Sequence, residues 1–174
     1  MTTDLQFPIG RFEYERRYTE AERVERIGQI EQAPAEMRRA YEDLSEGGDR
    51  PYRPGGWTAR QVIHHVPESH MHSYIRCKFA MTQVEPTIMP YDESVWAVQP
   101  DVGTTPPEVS LALLEALHRR WVAFLRTLKE PDWNRTFRHP ELGVVTLDRT
   151  LGLYAWHGRH HVAHLRLIVD GVSR

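Results

Sequence analysis

Disulfides, long apolar runs and an excess of charge are all missing from this sequence of 174 residues. Its one cysteine, Cys77, cannot form an internal disulfide, which favours a reducing, cytoplasmic location. No stretch approaches the roughly 18–20 consecutive apolar residues of a membrane-spanning helix, and the first residues lack the features of a secretory signal. A formal net charge of −2 argues against a general nucleic-acid-binding surface. We therefore expect neither a nucleic acid nor a membrane among the partners.

Four segments of the chain carry apolar residues at the three- and four-residue spacing of an amphipathic helix. Thr19 and Thr58 begin the first two with capping boxes, prolines occupy the first turn of the third, and Thr146 precedes the fourth. Since 40% of the residues are hydrophobic, one core can form without disulfide or metal support. The sequence therefore predicts an all-α four-helix bundle with long inter-helix loops, in which residues 1–174 form a single domain.

The connections between the predicted helices carry their own signals. Residues 85–104 are rich in proline and acidic residues, with a short helix predicted around Asp92–Trp96. A connection of this length is more often a lid or binding loop than a passive link. A small β-hairpin is predicted around Pro140–Gly143, before the last helix. Pro34 and Pro67 fall inside the first and second helices and predict a kink in each.

The chain is rich in histidine, with ten in all. Eight of them fall in two clusters, one in the second and one in the fourth predicted helix: His64, His65, His70 and His72, then His157, His160, His161 and His164. Imidazole is the commonest metal ligand in proteins. Because both clusters lie inside patterned segments, they indicate a transition-metal site.

Helical spacing selects ligands within these clusters. His157 and His161 lie four residues apart in the apolar phase of the fourth helix, so both rings can reach one ion. His65 on the second helix would supply a third nitrogen. Three nitrogen ligands with an open fourth position are typical of catalytic zinc sites. His160 with His164 is the alternative pair, and otherwise His164 supports a ligand or lines the pocket.

A general base and a solitary histidine complete the candidate residues. Position 158 is Gly, so no carboxylate follows the first ligand as it does in the His-Glu-x-x-His metalloproteases. Glu68 on the second helix is the predicted catalytic base, with Asp92 or Glu93 on the long loop as alternatives. His118, on the apolar seam of the third helix, is predicted to be a hydrogen-bonded core residue or else to approach the site.

Three stretches of the chain resemble the YfiT-type metal-dependent hydrolases of the DinB-like superfamily: YRPGGWTARQVIHH from Tyr52, SHMHSYIR from Ser69 and LYAWHGRHHVAH from Leu153. The resemblance extends over nearly the whole chain. It implies a four-helix bundle, usually a homodimer, with one divalent metal per subunit held at the positions of His65, His157 and His161. The family metal is generally zinc, with nickel also encountered. Pro67 departs from the family pattern, which has a helix-forming residue there.

Three functions are compatible with such a site. The first is a hydrolase in which the metal activates water toward a small-molecule substrate. The second, implied by related DinB-like proteins, is S-transfer from a low-molecular-weight thiol such as bacillithiol, whose carboxylates would pair with Arg53, Arg76 or Arg159. The third is a structural or storage site, which would need a closed fourth position, and the lack of cysteine ligands counts against it. We take the hydrolase as the main expectation.

Overall fold

A computed structural model describes residues 4–44 and 48–171, which contain six α-helices and a small two-stranded sheet. The helices are α1 (Glu20–Glu42), α2 (Ala59–Thr82), α3 (Glu93–Trp96), α4 (Pro100–Thr104), α5 (Pro107–Leu125) and α6 (Leu147–Val169). A 3₁₀ turn (Glu130–Asn134) and the strands β1 (Thr136–His139) and β2 (Gly143–Thr146) lie between α5 and α6. Within the described ranges, no helix is both long and apolar enough to cross a bilayer.

The four long helices form a bundle in which sequence neighbours are not always neighbours in space. Helix α1 packs against α5 and α6, and α2 packs against the same two helices. The first two helices therefore lie at opposite corners of the bundle. This arrangement confirms the predicted all-α four-helix bundle, and it places the two histidine-rich helices, α2 and α6, side by side.

Local side-chain chemistry determines where the long helices begin. The hydroxyl of Thr58 accepts a hydrogen bond from the amide of Gln61, and the side chain of Gln61 accepts one from the amide of Thr58. Thr19 makes the same reciprocal pair with Glu22, and Thr146 caps α6. These bonds satisfy amides that have no partner within the helix, so the predicted helix starts are confirmed.

Two prolines lie inside helices. Pro34 in α1 and Pro67 in α2 are both buried, and each helix continues through its proline. A proline has no amide hydrogen, so it leaves the carbonyl four residues earlier without its usual donor. In α1 that carbonyl belongs to Ile30. The predicted kinks stay predictions.

The long connection after α2 is held in place at two points. The amide of Ile88 donates to the carbonyl of Arg138 in β1, and the amide of Arg138 donates to the carbonyl of Pro86. Further along, the side chain of Gln61 donates to the carbonyl of Ala97. The connection is therefore fixed against the β-hairpin and against α2. It contains the predicted short helix, observed as α3, and a second one, α4.

The buried apolar side chains form two clusters at different heights of the bundle. One contains Ile30, Trp121 and Leu151, and the other contains Met37 and Leu165 among its members. His70 on α2, His118 on α5 and the buried histidines of α6 lie along their helices between residues of one cluster and residues of the other. The bundle therefore has a layer of imidazole rings between two apolar cores.

A buried ion pair joins α1 to α6 at one end of the bundle. Arg23 Nε lies 2.6 Å from Asp148 Oδ1, and the two side chains are 4% and 1% exposed. Tyr14 Oη and the amide of Tyr18 both donate to the other oxygen of this carboxylate. Removing Asp148 would leave the buried Arg23 with only the exposed carboxylate of Glu130 as its partner, and Tyr14 and the Tyr18 amide would lose their acceptor.

We predict that Asp148→Ala lowers the free energy of unfolding by about 3–5 kcal/mol. The control is Glu31→Ala, which breaks an exposed pair with Arg126 and should cost about 1 kcal/mol or less. Urea unfolding followed by circular dichroism measures both. Equal losses in the two variants would contradict a structural role for the buried pair.

Candidate metal centre

The structure brings the three sequence-predicted ligands together. His157 Nε2 lies 3.3 Å from His65 Nε2 and 3.2 Å from His161 Nε2. Two nitrogens bound to one tetrahedral zinc at about 2.0–2.1 Å are roughly 3.3–3.4 Å apart. These two separations match two edges of a tetrahedral metal site, and all three nitrogens lie within 4.8 Å of one another, so the three side chains present fit such an ion.

Close helix packing produces this convergence. His157 and His161 are one turn apart on α6, and His65 faces them from the neighbouring α2. Gly158 lies between these two histidines in sequence, and a Cβ at this position would be only 3.0 Å from the Cβ of Ala33 in α1. Since a larger residue would push α6 away from α1, this glycine permits the close approach that fixes the α6 rings.

The three rings are neutral at physiological pH. Burial lowers the pKa of His65 to about 4. For His157 and His161, burial is again the main cause and the neighbouring imidazoles add to it, so both pKa values lie well below the usual 6.5. A neutral imidazole is the form that binds a metal, because it keeps one lone pair. The three candidate ligands would therefore need no deprotonation to bind a metal.

A chain of imidazoles extends from His157 into the bundle. His157 Nδ1 lies 3.0 Å from His70 Nε2, and His70 Nδ1 lies 2.7 Å from His118 Nε2. His118 Nδ1 is in turn 2.6 Å from the carbonyl oxygen of Ile30. His118 is thus a hydrogen-bonded core residue, as predicted, and it also reaches the site through His70.

A shorter chain extends from His161. Its Nδ1 lies 3.3 Å from His164 Nδ1, and His164 Nε2 is 3.2 Å from the carbonyl oxygen of Gln6. The ring of His164 stacks on Tyr52 at 3.8 Å between centroids. With His160, these two histidines form a second group of three nitrogens within 4.8 Å of one another. The alternative pair of the sequence analysis is therefore close in space as well.

A cavity of about 610 Å³ opens beside the three rings. Its walls come from the N-terminal segment, the turn before α2, α2 itself, the connection after α2, the hairpin and α6. Among the lining residues are two arginines, Arg53 and Arg76, and two acids, Glu93 and Glu141. A small molecule in this cavity would have access to the side of the rings that faces away from the core.

Comparisons with known proteins agree with this geometry. Residues 29–165 match the family model of the DinB superfamily. The chain belongs to the DinB superfamily. The Bacillus cereus (strain 03BB102) protein named "Putative metal-dependent hydrolase" is 52% identical over 163 residues, covering 93% of this chain and 94% of that one. A Bacillus mycoides protein named in the same way has the same identity and coverage.

Two solved structures share the DinB bundle. YfiT from Bacillus subtilis, described as "a probable metal-dependent hydrolase with an unusual four-helix bundle topology", is 42% identical and has a TM-score of 0.93, covering 97% of this chain and 98% of that one. A mycothiol-dependent maleylpyruvate isomerase is 19% identical with a TM-score of 0.65, over 82% of this chain and 60% of that one, and it shares the fold. The resemblance to the YfiT-type family is confirmed.

The predicted base, Glu68, does not lie in the wall of the cavity beside the three histidine rings. It is half-buried on α2 and is not among the residues that line the cavity. Burial, followed by the charge of Asp101, raises the pKa of its carboxyl group. Of the loop alternatives, Asp92 caps α3 by accepting from two amides, whereas Glu93 lines the cavity. The assignment of Glu68 as the base stays a prediction.

The sequence analysis missed three hydroxyl groups at the cavity. Ser69, Tyr91 and Tyr154 all line it, and Tyr154 Oη lies 3.5 Å from Ser69 Oγ. Burial raises the pKa of both tyrosines, so their phenols keep the proton at neutral pH. Ser69 follows His65 by one turn and Tyr154 precedes His157 by nearly one, so helical spacing could have found them. Tyr91 had no such signal, because it reaches the site from the connection.

The buried rings give a prediction for the stability of the metal-free protein. The pKa of His65, His118 and His164 is about 4, against 6.5 in an unfolded chain. Between these values the unfolded state binds protons that the folded state does not accept. The free energy of unfolding should therefore fall as the pH decreases from about 6.5 to 4, by roughly 1.4 kcal/mol per pH unit for each ring.

Urea unfolding at pH 7.5 and at pH 5.5, with EDTA present at both, measures this loss. The chelator ensures that release of a metal does not contribute. Equal stability at the two pH values would contradict the burial of neutral rings.

Proposed function

We propose that this protein is a metal-dependent hydrolase in which His65, His157 and His161 hold one divalent cation, with zinc as the first candidate and nickel as the second. The observation that carries the proposal is the convergence of three Nε2 atoms, at 3.2 and 3.3 Å, beside a cavity. The names of the relatives that are 52% identical support metal dependence. The cavity supports a small-molecule substrate.

The open side of the site favours catalysis over a structural role. A structural zinc site is closed by four protein ligands, whereas a catalytic one keeps a position for water or substrate. A zinc ion bound by three imidazoles lowers the pKa of water toward about 7 and polarises a carbonyl oxygen. Three neutral rings bring no negative charge of their own, so the ion's charge is not neutralised by its ligands.

The side chains around the cavity would then hold the substrate and accept a proton. The phenols of Tyr91 and Tyr154 can donate hydrogen bonds to an oxygen that gains negative charge. A carboxylate beside the metal would accept a proton from the attacking water. Glu68 is the base that the sequence predicts, and Glu93 is the alternative that the cavity wall supports.

The alternative function is S-transfer from a low-molecular-weight thiol held at the same site. The arginines of the cavity wall, Arg53 and Arg76, favour it because a guanidinium group pairs with carboxylates through two hydrogen bonds. The two functions differ only in whether water or a thiol is activated. A cytoplasmic homodimer without nucleic-acid or membrane partners stays a prediction from the sequence.

We predict that the protein binds one Zn²⁺ per chain and that His157→Ala weakens binding at least 100-fold, because it removes the nitrogen shared by both short contacts. Competition with a chromophoric chelator measures the affinity, and elemental analysis of untagged protein measures the content. His72→Ala is the control, since His72 lies on α2 outside the three-ring group and stacks on Tyr91 instead. Equal zinc binding by His157→Ala and the wild type would refute the site.

A second prediction concerns turnover and the base. The zinc-loaded protein should hydrolyse 4-nitrophenyl acetate, and His157→Ala should not. Replacing the base with glutamine should lower kcat/KM by about 10²–10⁴-fold and remove the acidic limb of its pH profile. Glu68→Gln and Glu93→Gln measured in parallel identify which carboxylate acts.

The same samples distinguish the two functions. Glutathione with 1-chloro-2,4-dinitrobenzene tests zinc-dependent S-transfer. Ester hydrolysis that needs zinc but no thiol supports the hydrolase. S-transfer without ester hydrolysis would replace it with the alternative.

A further inference from the structure

We infer that His70, His118 and His164 are positioning residues that determine which nitrogen of His157 and His161 carries the proton, so that both Nε2 atoms are left free for a metal. The inference rests on the proposed function, because it concerns ligands of that site. It adds roles for three buried histidines that do not themselves hold the ion. Two series of hydrogen bonds, one starting at the carbonyl of Ile30 and one at the carbonyl of Gln6, lead to these ligands.

The first relay is the series of hydrogen bonds that runs from the carbonyl of Ile30 through His118 and His70 to His157. A carbonyl oxygen only accepts hydrogen bonds, so His118 Nδ1 carries the proton at this 2.6 Å contact. In a neutral ring the other nitrogen, Nε2, then has only a lone pair and accepts from His70 Nδ1.

The same reasoning continues outward to the site. His70 Nε2 has only a lone pair, so it accepts from His157 Nδ1. His157 Nε2 is thereby left without a proton at the point where it meets His65 and His161.

This relay joins all four long helices of the bundle. His157 lies on α6, His70 on α2, His118 on α5 and Ile30 on α1. The carbonyl at its end is available because the residue four positions later is Pro34, which has no amide hydrogen to donate. The interior proline therefore has a positive role: it frees the acceptor on which the relay depends.

The second relay starts at the carbonyl of Gln6. His164 Nε2 donates to this oxygen at 3.2 Å, so His164 Nδ1 has a lone pair. It accepts from His161 Nδ1 at 3.3 Å, which leaves His161 Nε2 free for the metal. One proton thus occupies the space between the two Nδ1 atoms. The group of His160, His161 and His164 is therefore a support for the first site and not a second metal site.

The third proposed ligand, His65, differs from the two on α6 in the hydrogen bonding of its Nδ1 atom. His65 Nδ1 is buried, and it has no hydrogen-bond partner within residues 4–44 and 48–171. A histidine that binds a metal through one nitrogen usually donates a hydrogen bond from the N–H of the other to a partner that fixes the orientation of the ring. Here two ligands on α6 have such a partner in another imidazole, and the ligand on α2 does not. The relays thus act on the pair that α6 contributes.

The decisive measurement is the tautomer of each ring in metal-free protein. Full-length protein labelled with ¹⁵N-histidine and treated with EDTA at pH 7.5 gives two-bond ¹⁵N–¹H spectra that show which nitrogen is protonated. We expect the proton on Nδ1 in His70, His118, His157 and His161. In His164 we expect it on Nε2. Finding Nε2–H at His157 or His161 would overturn the inference.

A pair of variants on α5 tests the consequence for metal binding. His118→Leu removes the acceptor of His70 Nδ1, and Ser110→Ala removes the group 2.7 Å from His64 Nδ1. Both positions are buried on the same helix and contact a histidine of α2. His118→Leu should bind Zn²⁺ about 10–100-fold more weakly and show protonated Nε2 at His157. Ser110→Ala should retain wild-type affinity and tautomers.

The remaining outcomes are separable. If His118→Leu does not fold, His164→Leu makes the same test on the second relay, with His161 as the reporter. Wild-type affinity in a folded His118→Leu or His164→Leu variant would overturn the inference, as would two zinc ions per chain. If the wild type binds no zinc while the expected tautomers are present, the proposed function fails and the relays stand.

Discussion

The structure depends on holding a layer of uncharged imidazole rings between two apolar cores. Each neutral ring brings one N–H group and one lone pair into the interior, and an unpaired polar group there costs about 1–3 kcal/mol. The two relays satisfy most of these groups by ending at the carbonyls of Ile30 and Gln6. The hydrogen bonds that make the layer stable are therefore the same ones that orient the rings of the site.

Helix order explains why the layer can form. Because α1 and α2 occupy opposite corners, α2 and α6 are in contact and α5 lies beside α2. His65 and His157 can then meet across one interface while His70 and His118 meet across another. A bundle with α1 next to α2 would place either α5 or α6 diagonally opposite α2 and so separate one of these pairs. The topology is thus a requirement of the site and not only a way to bury apolar surface.

The sequence predicts the features that depend on local spacing. The start of α2 follows from Thr58 and Gln61, and the ligand pair on α6 follows from helical periodicity. It does not predict which carboxylate lines the cavity, because Glu93 reaches it through the folding of a connection that has no periodicity. Pro34 shows the same limit. The sequence shows that Pro34 removes a backbone hydrogen bond from α1. It does not show that the freed carbonyl of Ile30 accepts a hydrogen bond from His118, because these residues are 88 positions apart.

The proposed ligands and the cavity wall come from different parts of the chain, and this difference matters for the choice between hydrolysis and thiol transfer. The proposed metal ligands and their relays lie on the long helices, apart from the acceptor at Gln6. The cavity wall includes Arg76 of α2, but it also includes side chains from the turn before α2, the connection after it and the hairpin. Hydrolysis and thiol transfer make the same demand on the helices, because both need neutral nitrogens beside an open position. They make different demands on the wall, where carboxylates favour activation of water and arginines favour binding of an anionic thiol. Under the proposed function, the choice between the two reactions would therefore depend on Glu93, Arg53 and Arg76 of the cavity wall more than on the three histidines.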